Sequence, residues 1–166
     1  MRLYLVRHAQ TSSNLKEINF NDKDDLPLTK EGYYQSKKLA KELIHFKIDK
    51  IFISETKRSF QTLLPFLELN PLIPQRDRRL NEADFGIFSG LTLREVQKKY
   101  LKVYQRRLKD KYNVCIPRGE SYKDVARRLD SFFKDLGQMA EKQRLQNVLI
   151  VTHATPLKVF LIHYKK

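Results

Sequence analysis

Leu3-Tyr4-Leu5-Val6-Arg7-His8-Ala9-Gln10-Thr11-Ser12-Ser13-Asn14 begins with four apolar residues that run straight into charge. A short, continuous apolar run of this kind suits a strand buried on both faces of a parallel sheet. It is too short for a secretory leader core, and no cleavage-like site follows it. Two later runs have the same character, Ile51-Phe52-Ile53-Ser54 and Val148-Leu149-Ile150-Val151. Between them apolar residues recur at helical spacing. Thr29 or a neighbour is placed to cap a helix with Leu39, Leu43 and Phe46 along one face. Phe60, Leu63, Leu64 and Leu67 carry a second helix, which ends before Asn70-Pro71. Val96, Tyr100, Val103, Tyr104 and Leu108 line one side of a third, from about Leu91 to Tyr112. Ser121 is a credible N-cap for a fourth helix through Val125, Leu129, Phe132, Phe133 and Leu136, and a last helix starts at Pro156. Buried strands alternating with helices predict an α/β domain with helices on both faces of the sheet. Residues 9–29 form a polar loop, and loops of that length in a compact domain usually serve function.

The bulk composition sets limits. The chain has 166 residues, enough for one ordinary domain, read here as 1–166. Charged residues make up 31%, and no apolar run approaches the roughly 18–20 residues of a membrane span, so a cytoplasmic location is expected. Cys115 is the only cysteine, which excludes an internal disulfide and a cysteine-based metal cluster. The net charge of +14 points to nucleic acid, an anionic surface or acidic small molecules as partners. A merely solvated basic surface explains it equally, and no nucleic-acid-binding motif accompanies the lysines.

In open α/β sheets the active site lies beyond the carboxyl ends of the strands. Here those ends carry unusual residues. The first strand runs into Arg7-His8, the second into Ser54 with Arg58 a helical turn later, and the third into Thr152-His153. Taken singly, each is unremarkable: a histidine after a strand is usually structural, and Glu82 is one of 19 acidic residues. Together they fit one chemistry. A neutral imidazole can attack phosphorus. Guanidiniums at positions 7 and 58 would disfavour its protonation and bind the phosphoryl oxygens bidentately. A second imidazole at 153 could spread further positive charge over those oxygens, and a carboxylic acid at 82 could protonate the leaving alkoxide. No metal is required, and the sequence holds no H-x-x-x-H or clustered aspartates to bind one.

Six segments carry a resemblance. Arg7-His8-Ala9-Gln10-Thr11-Ser12-Ser13-Asn14 is similar to the R-H-G-x-T-x-x-N signature of the histidine phosphatase superfamily. Pro27-Leu28-Thr29-Lys30-Glu31-Gly32 with Gln35 resembles P-L-T-x-x-G-x-x-Q, and Ser54 through Thr62 resembles S-x-x-x-R-x-x-Q-T. Leu80 through Gly86 with Gly90 resembles L-x-E-x-x-F-G-x-x-x-G, Pro117 through Ser121 resembles P-x-G-E-S, and Val151-Thr152-His153 the closing V-[ST]-H. The match runs in order from residue 3 to about residue 160.

The resemblance implies a three-layer α/β/α sandwich with a mostly parallel central sheet, phosphoglycerate mutase-like. It makes His8 the nucleophile and Glu82 the proton donor. Arg7, Arg58 and His153 hold the phosphoryl group, with Asn14 and Ala154 at further phosphate-binding positions. Gly32 and Gln35 match structural positions, and His45 and His163 match none. The activity implied is that of a histidine acid phosphatase-type phosphomonoesterase acting on a small phosphorylated metabolite without a cofactor. The short stretch between Glu82 and the strand at 148 favours phosphatases, among which α-ribazole and broad-specificity phosphatases share the layout best. Phosphoglycerate mutase-type transfer and a catalytically silent phosphate-binding or regulatory module stay open.

Two departures from the pattern matter. Alanine stands at 9 and 154, after each histidine, where the family has glycine; if either position needs a positive φ, the site is strained. The chain also ends at Lys166, before the further edge strand of typical members, so that strand is expected to be absent and self-association through the open edge to follow. Neither nucleic acid nor membrane is expected as a partner. Substrate choice is expected from residues 15–26 and 91–118. There the helix at 94–111 sets eight basic residues against Glu95 and Asp110, which favours a substrate with a second anionic group unless that face is simply solvated.

Overall fold

A computed structural model describes residues 1–16, 18 and 25–164. Strands β1 (Arg2–Arg7), β2 (Lys50–Ile53), β3 (Gln75–Arg76) and β4 (Asn147–Thr152) form one sheet in the order β1-β4-β2-β3, and every pairing is parallel. Helices cover both faces, as the alternation of buried strands and helices requires. Side chains alternate along each strand. Tyr4, Val6, Ile51, Ile53, Leu149 and Val151 face α2 (Lys30–Leu43) and α3 (Lys57–Leu67). Leu3, Leu5, Phe52, Val148 and Ile150 face the larger core with Phe88, Leu129, Phe132 and Val159, built on α5 (Tyr122–Gln143) and α6 (Ala154–Tyr164).

Local chemistry accounts for the helix ends. The Thr29 hydroxyl accepts the Gly32 amide, and Ser121 and Asp124 form a capping box at the start of α5. Pro65 lies inside α3 and removes one amide donor. The buried Ser36 hydroxyl on α2 lies 3.3 Å from the Gln61 carbonyl so freed and 2.8 Å from that of Thr62. The defect is thereby closed from the neighbouring helix.

Several elements depart from the sequence reading. Ser12–Leu15 forms a short helix, α1, inside the expected loop, and residues 17 and 19–24 of that loop lie outside the described residues. Helix α2 ends at Leu43, so Phe46 lies beyond it and is exposed. In α3 the apolar face turns on Leu63 and Phe66, leaving Leu64 at the surface. Helix α4 (Leu93–Lys109) is interrupted at Tyr100, where φ is −135° and ψ 35°. That kink breaks the expected stripe: Val96 is fully buried, but Leu108 is half exposed. Helix α6 starts at Ala154, two residues before Pro156. The strand β3 was not foreseen, because two exposed residues carry no periodicity. No helix among the described residues is long and apolar enough to cross a membrane.

Candidate active site

The parallel register assembles the site. Arg7 pairs with Thr152 and Ile53 with Val151, so β1, β4 and β2 end side by side. The amides just beyond continue the ladder: His8 N–H donates to the Thr152 carbonyl and Ser54 N–H to that of Val151. His8, His153 and Ser54 therefore leave the sheet together, and the two imidazole rings lie 5.0 Å apart at 61°.

His8 Nδ1 lies 2.8 Å from the Ala9 carbonyl, which can only accept, so Nδ1 carries the proton and Nε2 the free lone pair. Burial lowers its pKa to about 4, opposed by that carbonyl and helped by Arg58 and Arg7. His153 is fully buried. Its Nδ1 faces Arg58 Nη2 at 3.4 Å and must accept, because a guanidinium has no acceptor; its Nε2 then donates to Ser54 Oγ at 2.8 Å. Burial, then Arg58 and His8, hold this ring well below the ordinary histidine range. His153 is thus a neutral, buried ring beside Arg58 and 5.0 Å from the His8 ring, and it is not among the side chains that line the cleft.

Arg58 rises from the first turn of α3, is buried, and lies 3.5 Å from Asp25. Asp25 also accepts the Lys57 amide at 2.6 Å. Arg7, at the end of β1, is exposed and lines the cleft. Asn14 Oδ1 accepts the amide and hydroxyl of Thr11, which leaves its Nδ2 as the donor it offers to the cleft. Glu82 Oε1 accepts the amides of Ala83 at 2.8 Å and Thr155 at 3.2 Å. Burial nonetheless raises its pKa, outweighing those amides and Arg128. Ala154, the first residue of α6, also borders the cleft. Among the described residues only Arg118 and Arg144 are non-glycines with positive φ, so neither Ala9 nor Ala154 is strained in that way.

Arg7, His8, Asn14, Arg58, Glu82 and Ala154 line one cleft of about 330 Å³. Of the expected site residues only His153 does not reach its wall. His45 and His163 also stand outside it, His45 exposed and His163 3.5 Å from Asp130. No group of three or more His, Cys, Asp or Glu side chains among the described residues is arranged to hold a metal ion.

Other motif residues prove to be scaffolding. A Cβ at Gly32 would stand 2.2 Å from the Gln10 carbonyl, and Gln35 Oε1 accepts the Gln10 amide. Gln61 accepts the Leu28 amide and Thr62 the Ala9 amide, so α3 grips the loop behind His8. Gly86 and Gly119 pack backbone on backbone, and Glu120 takes the Asp84 amide while its own amide donates to the Asp84 carbonyl. That clasp holds the segment bearing Glu82. Sequence reasoning missed Asp25 and Thr155. Asp25 lies in the stretch expected to set substrate choice but carried no signal of its own, whereas Thr155 could have been suspected from its place in the first turn after His153.

The histidine phosphatase superfamily (branch 1) family model matches residues 3–166, and the chain belongs to that family. Phosphoserine phosphatase 1 of Hydrogenobacter thermophilus is 31% identical over 158 residues, 95% of this chain and 73% of that protein. The crystal structure of α-ribazole phosphatase from Shigella flexneri matches with a TM-score of 0.85 at 28% identity, over 99% of this chain and 79% of that one. Bacillus stearothermophilus YhfR matches with a TM-score of 0.87 at 26% identity, over 98% and 79%. The family and these relatives support a phosphatase, a hydrolase, as the coarse activity.

Proposed function

We propose that the chain is a metal-independent phosphomonoesterase that hydrolyses small phosphorylated metabolites through a phosphohistidine on His8. The observation that carries this is the neutral His8 ring, with its Nε2 lone pair free, beside Arg7 and Arg58 and in one cleft with a carboxyl of raised pKa. In the first step Nε2 attacks phosphorus, the ester P–O bond breaks, and protonated Glu82 gives its proton to the leaving alkoxide. Arg7, Arg58 and the Asn14 amide bind the phosphoryl oxygens, and His153 keeps Arg58 aimed. In the second step Glu82 takes a proton from water, the water oxygen bonds to phosphorus, and the P–N bond breaks to release phosphate.

Phosphoserine and α-ribazole phosphate, the substrates in the relatives' names, differ widely outside the phosphate. α-Ribazole 5′-phosphate, the ester in the name of one such relative, offers a ring but no second anionic group, and belongs in any substrate panel. The test is hydrolysis of p-nitrophenyl phosphate in EDTA at mildly acidic pH, which His8→Ala should abolish. Wild-type turnover no higher than that of His8→Ala would leave a phosphate-binding module instead. Transfer from 3-phosphoglycerate to a second acceptor without phosphate release would replace hydrolysis by mutase chemistry.

A further inference from the structure

The cleft is lined by more than its phosphate-binding residues. Phe85, Tyr104 and Tyr122, from three separate segments, add aromatic surface to it. Two exposed lysines complete it: Lys111, just after α4, and Lys158, one turn along α6 from Ala154. Ala154 and Lys158 are four residues apart on α6, a spacing that brings them to one helical face.

Charge in this cleft is one-sided. Glu82 is the only acidic side chain among the lining residues described, and its raised pKa favours the neutral form. Against it stand Arg7, Arg58, Arg107, Lys111 and Lys158. Arg7 and Arg58 belong to the phosphate end. Arg107 is spent internally, donating to the carbonyls of Val114 and Glu120 and stacking over Tyr122. Lys111 and Lys158 have no ion pair with any described residue. Most of the basic residues of α4 point elsewhere, so the helix's overall charge is not what the substrate meets.

Resting on the phosphatase reading above, we propose that the substrate is a phosphomonoester whose alcohol combines an apolar ring, packed on Tyr104 and Tyr122, with a second anionic group held by Lys111 and Lys158. The ring gains by leaving water against the aromatic wall, and the anion meets two cations that no described carboxylate neutralises. A small zwitterion such as phosphoserine offers the anion without the ring. A phosphorylated nucleoside offers the ring without the second anion.

Three primary alkyl esters separate these contributions at nearly constant leaving group: 4-carboxyphenylethyl phosphate, phenylethyl phosphate and phosphoserine. The carboxylated ring should exceed each of the others in kcat/KM by about tenfold, the scale of ~1.4 kcal/mol. Lys111→Met and Lys158→Met should each cut the ratio of carboxylated to plain ring by about threefold, and Tyr104→Ser should erase the preference over phosphoserine. Turnover of all three esters with ratios near one, unmoved by the variants, overturns this proposal and leaves the phosphatase reading intact. Turnover of none of them, nor of p-nitrophenyl phosphate, overturns both.

Discussion

A histidine held neutral down to about pH 4 and a carboxyl held protonated above its ordinary range set opposite limbs of a pH profile. His8 must be unprotonated to attack, so kcat/KM should rise as pH climbs through about 4. Glu82 must be protonated to assist departure, so kcat/KM should fall as pH climbs through its raised value. In Glu82→Gln the alkaline limb should vanish and alkyl phosphates slow by about 10²–10⁴-fold, while p-nitrophenyl phosphate, whose leaving group needs no proton, slows far less. Equal losses on both esters would remove Glu82 as the acid. The same burial couples His8 to stability. Its folded pKa is depressed from 6.5, so the unfolded chain binds more protons between about 6.5 and 4. Stability from this group is complete above 6.5 and lost as pH falls through about 4, on the order of 3 kcal/mol. Urea unfolding at pH 7 and pH 4 should show that drop in wild type and a smaller one in His8→Gln.

Between elements, the site depends on contacts made far from the phosphate. Gly32→Ala drives a methyl group against the Gln10 carbonyl and should cost about 1–3 kcal/mol, with a higher KM because the loop carrying Thr11 and Asn14 shifts. Thermal melting and KM together check this; an unchanged KM would show that the loop does not depend on α2. Ser36→Ala leaves the Gln61 carbonyl in the Pro65-interrupted helix without its donor and should destabilise by about 1–3 kcal/mol. Turnover measured below the transition should survive, since Ser36 touches no cleft residue. Such contacts show how legible the elements were. The caps at Thr29 and Ser121 could be read because a hydroxyl at a helix start is a local signal. Phe46 could not be placed, because α2 stops three residues short of it. Nor could β3, whose two residues are a strand only because β2 lies beside them.

Across the molecule the charge of +14 acts as a field rather than as contacts. Raising salt from about 0.01 to 0.15 M shortens the screening length from roughly 30 to 8 Å. KM for a doubly anionic ester should therefore rise severalfold with kcat unchanged. A KM indifferent to salt would mean that the basic surface plays no part in substrate capture.

The sequence by itself determined the chemistry available: six ordered motifs named the two site histidines, the arginines and the carboxyl, and the strand runs placed Arg7, His8 and His153 at strand ends. That was possible because strand runs, caps and motif spacings are local properties of the chain. Only the tertiary structure decided how those groups behave. It set His153 neutral beside Arg58, brought Asp25 against Arg58, kept Ala9 and Ala154 off positive φ, and brought Lys111 and Lys158 to the lining of one cleft. Burial and the charge of distant neighbours govern protonation, and both arise only when a parallel register brings segments more than a hundred residues apart together.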